Sequence, residues 1–167
     1  MIKIFGSCAI IGGSLLYGQR ISDRLKLRKN SLASFHSALL MLESEISFSH
    51  NSIDHAFKNI AKSIPLSGFF VYVSENTAEL GIRKAWNSAV AKYKSRLGLA
   101  DSDAEILLSF SAELGITDRE NQIKNIHYIL SLLGTAEKEA GERYVSLSGL
   151  YRSICTGAGI TAAILLL

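Results

Sequence analysis

The sequence predicts an all-α protein in which a long antiparallel helical stalk and a bundle of short helices are flanked by N- and C-terminal transmembrane helices. Three observations lead to this prediction. The 167 residues include a single Pro, are 48% hydrophobic and 8% aromatic, and carry a net charge of +3, which argues against disorder and Gly/Pro-rich all-β folds. Long charge-free runs lie at the two ends of the chain. Heptad-like apolar ladders lie on both sides of an interior region with shorter helical patterns.

The first element is a charge-free run over residues 4–19 that follows Lys3. These residues span about 24 Å as a helix, and residues 1–3 extend it toward the roughly 30 Å of a bilayer core. A cleaved signal peptide is the alternative, but Leu16-Tyr17-Gly18 is a poor small-x-small cleavage site. We therefore predict an N-terminal transmembrane helix over residues 1–20.

The last element, residues 153–167, is also free of charge, and the 21 residues from 147 to 167 contain only Arg152 as a charged residue. A buried core helix is the alternative. However, small residues recur at steps of four on one stripe, as they do on transmembrane packing faces: Gly149, Ser153 and Gly157. We predict a C-terminal transmembrane helix over residues 153–167, with a possible start near residue 147.

Basic residues predict the orientation of these two spans. Five of them follow the first span within residues 20–29, two precede the second span, and only Lys3 lies on the other side. Because basic flanks stay in the cytoplasm, residues 21–152 are predicted to form a cytoplasmic domain of a cell-membrane protein with two spans.

A stalk is predicted over residues 21–50 and 117–152, because both ranges carry apolar residues at alternating steps of three and four. If both helices start from the same membrane depth, the ladders meet in a register in which paired residue numbers add to 172. Phe35 with Glu137 is the weakest pair of this register. The predicted stalk core consists of Leu39 with Leu133, Leu42 with Leu130 and Ile46 with Ile126. The alternative is that each ladder faces the shorter helices of a bundle.

The residues between the ladders, 51–116, are predicted to form a tip of short helices. Ser52 is placed to cap a helix that ends before Pro65, and an apolar stretch follows at 69–73. A helix with basic residues on one side and apolar residues on the other then runs to Gly98, a residue type that ends helices.

Two S/T-x-x-E strings predict where the next helices begin. Ser102 with Glu105, and Thr117 with Glu120, have the spacing of a capping box. No strong helix breaker follows Thr117, so the second of these helices is predicted to run on toward the C-terminus.

No motif for catalysis or cofactor binding occurs in the sequence. It lacks a phosphate-binding loop, a nucleophile elbow and an H-E-x-x-H string, and its four histidines lack metal-ligand spacing. We therefore predict no enzyme activity, no cofactor and no metal. The basic residues within 20–29 are better explained by membrane topology and anionic lipid than by nucleic acid.

Five residues of the cytoplasmic domain are candidates for binding a partner protein: Arg83, Lys84, Trp86, Glu43 and Glu45. Trp and Arg are favoured at interfaces, and the basic pair suits an acidic partner surface. For Trp86 the alternative is a place in the core, and for the two glutamates it is interhelical ion pairing.

Several strings of residues resemble the stage III sporulation protein AB family of endospore-forming bacteria. They are spread over the chain: Gly12-Gly13 with the basic residues after it, Leu39 to Ile46 (LLMLESEI), Ala85-Trp86, Leu107 to Phe110 with Leu114-Gly115, and Thr117 to Glu120 with Gln122. The L-E-x-E-I and L-G-x-x-D-R-x-x-Q strings are moderately specific in combination.

This resemblance implies a non-enzymatic membrane platform of a secretion-like channel between mother cell and forespore. It implies a helical domain similar to that of type II secretion F proteins, facing the mother cell. Its implied partners are the cytoplasmic ATPase of the channel complex, other membrane components of that complex and the lipid bilayer. A membrane-tethered coiled-coil scaffold or regulator without a motor partner is the alternative function.

Overall fold

The computed structural model of the chain describes residues 2–48, 53–115 and 118–166. Within these ranges all regular structure is helical, which confirms the predicted all-α class. The helices are α1 (Ile2–Phe48), α2 (Ile53–Ser63), α3 (Ser67–Leu80), α4 (Ile82–Tyr93), α5 (Asp101–Ser111) and α6 (Arg119–Leu166).

The helices form two compact units. Unit 1 comprises Met1–Lys29 and Glu139–Leu167, and unit 2 comprises Asn30–Lys138. Within unit 1, α1 and α6 run antiparallel, since Gly18 lies against Cys155 and Gly141 lies near Lys29. A Cβ added to Gly18 would lie 3.0 Å from the Cβ of Cys155, so glycine permits this close approach.

The small-residue stripe of α6 does not pack against α1, which corrects that part of the sequence analysis. Gly149, Ser153 and Gly157 are exposed, and nothing lies within 4 Å of a Cβ added at either glycine. Residues two positions apart lie about 200° apart on a helix, so Ser153 and Gly157 lie nearly opposite Cys155. The residue that α1 contributes to the close contact is Gly18.

The two predicted transmembrane helices, 1–20 and 153–167, are not supported by the described residues. No helix in the described parts of the chain has an apolar stretch long enough to cross a membrane.

Unit 2 is built around a cluster of buried aromatic rings from five helices. Trp86 of α4 lies 4.9 Å from Phe110 of α5, 5.1 Å from Phe69 of α3 and 5.7 Å from Phe57 of α2, measured between ring centroids. Phe35 of α1 meets Phe69 edge to face at 5.0 Å. Each of these rings is at most 1% exposed. Such pairs add about 0.5 to 1.5 kcal/mol each beyond the burial of apolar area.

Residues on and beside the predicted ladder of α1 contact different helices along its length. Phe35 contacts α3, so at this position the alternative, in which the ladder faces the short helices, describes the packing better than a pair with Glu137. Eight residues further on, Glu43 hydrogen-bonds His127 of α6 at 2.7 Å, which leaves no room for a helix between α1 and α6 there. The numbers 43 and 127 add to 170, two below the predicted register.

The residues predicted for the stalk core are largely buried. Leu39, Leu42, Ile126 and Leu133 are at most 1% exposed, Leu130 is 9% exposed, and Ile46 is half-buried. Their pairing across α1 and α6 stays a prediction.

Glycines and aspartates set several helix ends in unit 2. The apolar stretch expected at 69–73 is part of a full helix, α3, which ends at Gly81 with φ 77°. The carboxylate of Asp103 accepts a hydrogen bond from the Ala100 N–H at 2.8 Å, so the N-cap of α5 is Ala100, two residues before the predicted Ser102. Ser52 and Thr117 lie outside the described residues.

The connection from α4 to α5 is fixed by a glycine turn and an ion pair. α4 ends at Tyr93, five residues before the predicted end at Gly98, and a turn that contains Gly98 at φ 66° follows. Lys94 donates a hydrogen bond to Asp101 at the start of α5. This hydrogen bond and the Lys94 charge hold the pKa of Asp101 below its ordinary value.

We expect Leu42→Ala to lower the free energy of unfolding by about 2 to 5 kcal/mol, because it removes a fully buried side chain and leaves a cavity. Leu40→Ala is the matched control, since Leu40 on the same helix is 47% exposed. Urea unfolding of the full chain measures both. Equal losses for the two variants would contradict the observed orientation of α1.

We expect the pKa of Asp101, measured by NMR titration, to rise toward the ordinary aspartate value of about 3.9 in Lys94→Gln. Because the pKa of Asp101 is lowered in the folded state, the contact with Lys94 stabilises the fold at pH values above the ordinary aspartate pKa. This stabilisation is lost as the pH falls through the lowered pKa of folded Asp101. Lys84→Gln removes another lysine of α4 and should leave the Asp101 titration unchanged.

Candidate functional site

Trp86, a candidate for partner binding, belongs to the core. Its side chain is 0% exposed, and its indole Nε1–H donates a hydrogen bond to the Leu107 carbonyl at 2.7 Å. A buried Trp needs such an acceptor for its N–H. The structure therefore supports the core alternative for Trp86 and offers no Trp86 surface to a partner.

The two basic candidates next to Trp86 have different roles. Arg83 donates a hydrogen bond to the Ala112 carbonyl at the C-terminal end of α5, where helix carbonyls lack partners within their own helix. Lys84 is exposed and makes no hydrogen bond or ion pair with any residue the structure describes. Of this pair, only Lys84 has a charged group without a partner among the described residues.

The two acidic candidates join α1 to two different helices. Glu43 Oε1 lies 2.7 Å from His127 Nε2 of α6, and Glu45 Oε1 accepts a hydrogen bond from Asn59 Nδ2 of α2 at 3.2 Å. Both contacts are interhelical, as in the alternative given for this pair, but the partner of Glu45 is a neutral amide, so that contact is not an ion pair. Asn59 Nδ2 also lies 3.3 Å from His55 Nδ1, which extends the network along α2.

The two strings L-E-x-E-I and L-G-x-x-D-R-x-x-Q meet in unit 2. Arg119 Nε donates a hydrogen bond to the Ile46 carbonyl near the end of α1, across 73 positions of sequence. Gly115 adopts φ 76° in the turn before α6, where a side chain would be strained. The Asp118 side chain then accepts a hydrogen bond from the Asn121 N–H at 2.9 Å and caps α6.

Hydrogen bonds and charged groups hold this junction of helices together. His127 lies beside the Glu43 carboxylate, and His55 lies beside the Asn59 carboxamide. In the described portion of the chain, no group of three or more His, Cys, Asp or Glu residues is placed to hold a metal ion. The arrangement is suited to joining helix ends and to presenting polar side chains at the surface.

Sequence reasoning missed three contributors to this region: Asn59, Asn125 and His127. Asn125 Nδ2 donates a hydrogen bond to the Phe110 carbonyl of α5 at 3.3 Å. The resemblance drew attention to the string around Arg119, but its contact with Ile46 has no local sequence signal. All these contacts join residues at least 14 positions apart, beyond the reach of helical periodicity.

Comparisons with known proteins match the chain to one protein family. The family model described as stage III sporulation protein AB matches residues 3–167. The chain is similar to stage III sporulation protein AB of Bacillus subtilis (strain 168), with 28% identity over 171 residues and 100% of both chains covered. A solved structure of a stage III sporulation protein AB is 30% identical with a TM-score of 0.65, and the match covers 71% of this chain and 96% of that chain.

We expect Arg83→Gln to lower the free energy of unfolding by about 1 kcal/mol, because it removes a hydrogen bond from the exposed end of α5. Lys84→Gln, the adjacent basic residue, should change it by less than about 0.5 kcal/mol. Thermal or urea unfolding of the two variants measures the difference. A loss at Lys84 as large as at Arg83 would contradict the separate roles assigned here.

Proposed function

Since this chain belongs to the stage III sporulation protein AB family and so has a role in sporulation, we propose that it is a non-enzymatic platform that docks the cytoplasmic ATPase of a secretion-like channel complex between mother cell and forespore. The relatives are named as sporulation proteins, and their names assign no catalytic activity. The family expected from the residue strings is confirmed by these matches.

The observation that carries the proposal is a basic surface on and after α4. Residues 82–98 contain five basic and no acidic side chains. Arg83 and Lys94 are used within the fold, and the Lys92 ammonium lies 4.0 Å from the ring centroid of Tyr72. Lys84 and Arg96 are exposed and have no partner among the described side chains. Such a surface attracts and orients an acidic partner.

Unit 1 supports contact with lipid or with other membrane components of the complex. Large apolar side chains are exposed on both of its helices: Leu15, Leu16 and Tyr17 on α1, and Val145, Leu150, Ile154, Ile160 and Ile164 on α6. Exposed apolar surface of this extent is typical of membrane or protein contact sites. We propose that unit 1 contacts the lipid bilayer. Such contact does not require two membrane spans.

A coiled-coil scaffold or regulator without a motor partner is the second candidate. The observation in its favour is the antiparallel contact of two helices of 47 and 48 residues, since long paired helices also serve as simple spacers. A scaffold without a motor partner needs no basic docking surface. The two functions therefore differ in whether Lys84 is expected to contribute to binding of the ATPase.

We expect Lys84→Glu to weaken co-precipitation of the channel ATPase by the full-length protein about three- to ten-fold at low salt, with a smaller difference at high salt. Lys138→Glu is the matched control, because Lys138 is also exposed but lies on α6. Equal capture by wild type and Lys84→Glu at low salt would remove α4 as the docking surface. If wild type captures no ATPase, the scaffold function replaces the platform function.

A further inference from the structure

A groove of about 440 Å³ runs along the outer face of α1 in unit 1. Its lining residues come from successive turns of this helix: Gly13, Leu16, Tyr17, Gln19, Arg20 and Asp23. Leu16 and Arg20 each lie two positions from Gly18, the residue that contacts α6, and two positions correspond to about 200° around a helix. The groove therefore faces away from α6 and opens to the surroundings of unit 1.

The end of the groove nearer the N-terminus is apolar. Gly13 is exposed, and no described atom lies within 4 Å of a Cβ added to it, so this position forms a gap in the helix surface. The side chains beside the gap are large and open to the surroundings, since Leu16 is 66% exposed and Tyr17 is 65% exposed. Exposed apolar surface of this kind favours a ligand with a hydrocarbon part.

The other end of the groove carries one positive and one negative side chain. Arg20 and Asp23 are exposed, and neither makes a hydrogen bond or ion pair with another residue that the structure describes. They are three positions apart, which is a rise of about 4.5 Å along the helix axis. A ligand of a single charge is attracted by one of these side chains and repelled by the other. A ligand that satisfies both presents an anion to Arg20 and a cation to Asp23.

The order of these groups along α1 is the order of groups in a phospholipid. Residues 4–19 contain no charge, so the apolar end of the groove lies within this run, and Arg20 is the first charged residue after it. Tyr17 lies between the two ends, and tyrosine is enriched where hydrocarbon meets the polar headgroups of a bilayer. From Gly13 to Asp23 the groove extends about 15 Å along the helix axis.

We propose that this groove binds a phospholipid whose headgroup carries a phosphate and a primary amine, as in phosphatidylethanolamine. An acyl chain lies along Gly13 and Leu16. The phosphate accepts hydrogen bonds from Arg20, and the ammonium donates to Asp23. A primary ammonium has three N–H donors for the carboxylate, whereas the quaternary ammonium of choline has none. The site rests on the bilayer contact proposed for unit 1 and specifies the class of lipid that unit 1 recognises.

The test is an NMR titration of the ¹⁵N-labelled full-length protein in dodecyl maltoside micelles with dioctanoyl phospholipids. We expect phosphatidylethanolamine to cause a saturable shift of the Arg20 Nε–H signal. Phosphatidylcholine should bind about three- to ten-fold more weakly, because it lacks the ammonium donors. Phosphatidylglycerol should also bind about three- to ten-fold more weakly, because Asp23 repels its net negative charge.

Matched variants locate the lipid. Gly13→Leu fills the apolar end of the groove without meeting a described atom, so it should weaken phosphatidylethanolamine binding about three- to ten-fold. Gly149→Leu, at an exposed glycine of α6, should leave binding unchanged. Asp23→Asn should remove the preference over phosphatidylcholine, and Glu142→Gln, a change of another exposed acidic residue of unit 1, should preserve it. Unchanged backbone spectra show that the variants are folded.

The proposal is overturned by equal affinity for the three lipids, by wild-type affinity in Gly13→Leu, by an unchanged lipid preference in Asp23→Asn, or by the absence of any saturable shift. Flotation of the wild type with phosphatidylcholine vesicles tests the bilayer contact separately. If the protein floats but shows no lipid preference in micelles, unit 1 contacts the bilayer without this site. If it does not float, the bilayer contact fails as well, and capture of the ATPase through Lys84 is still decided by co-precipitation.

Discussion

The position of Trp86 is the constraint on which unit 2 depends. Its ring lies within 6.0 Å of rings from α2, α3 and α5, and its indole N–H has a fixed acceptor on α5. An aromatic donor buried with all its contacts satisfied fixes both the depth and the rotation of the helix that carries it. With α4 held in this way, Arg83 reaches the end of α5 and Lys84 remains at the surface. The different surroundings of Arg83 and Lys84 thus follow from the packing of their neighbour, Trp86.

The family-specific strings serve the fold before they serve any partner. Glu43, Glu45 and Arg119 use their charged groups to join α1 to α2 and α6. A substitution of any one of these three residues changes a helix junction as well as the surface on which that residue lies. Residues without an internal partner, such as Lys84, are therefore the sharper probes of function, because substituting them removes no hydrogen bond or ion pair of the described fold.

Local patterns predicted part of this structure, and contacts remote in sequence explain the rest. The all-helical class, the buried ladder residues and the turn at Gly98 follow from composition, periodicity and a residue that adopts positive φ. The helix α3 was missed because its aromatic and β-branched residues, FFVYV, have no helical period over such a short span. The charge-free ends predict membrane spans from local hydropathy, and the described residues give these spans no support. The hydrogen bonds of Arg119 and Asn125 join distant residues and have no local signature.

The way α5 ends affects how the domain gains its structure. This helix has 11 residues, fewer than an isolated helix needs for stability in water, and its final carbonyls bind Arg83 and Asn125 from other helices. These partners lie 29 positions before and 15 positions after the carbonyls they bind. The helix therefore gains part of its stability from contacts with α4 and α6. Its amide protons then exchange through the cooperative opening of the surrounding helices rather than through fraying of one short segment.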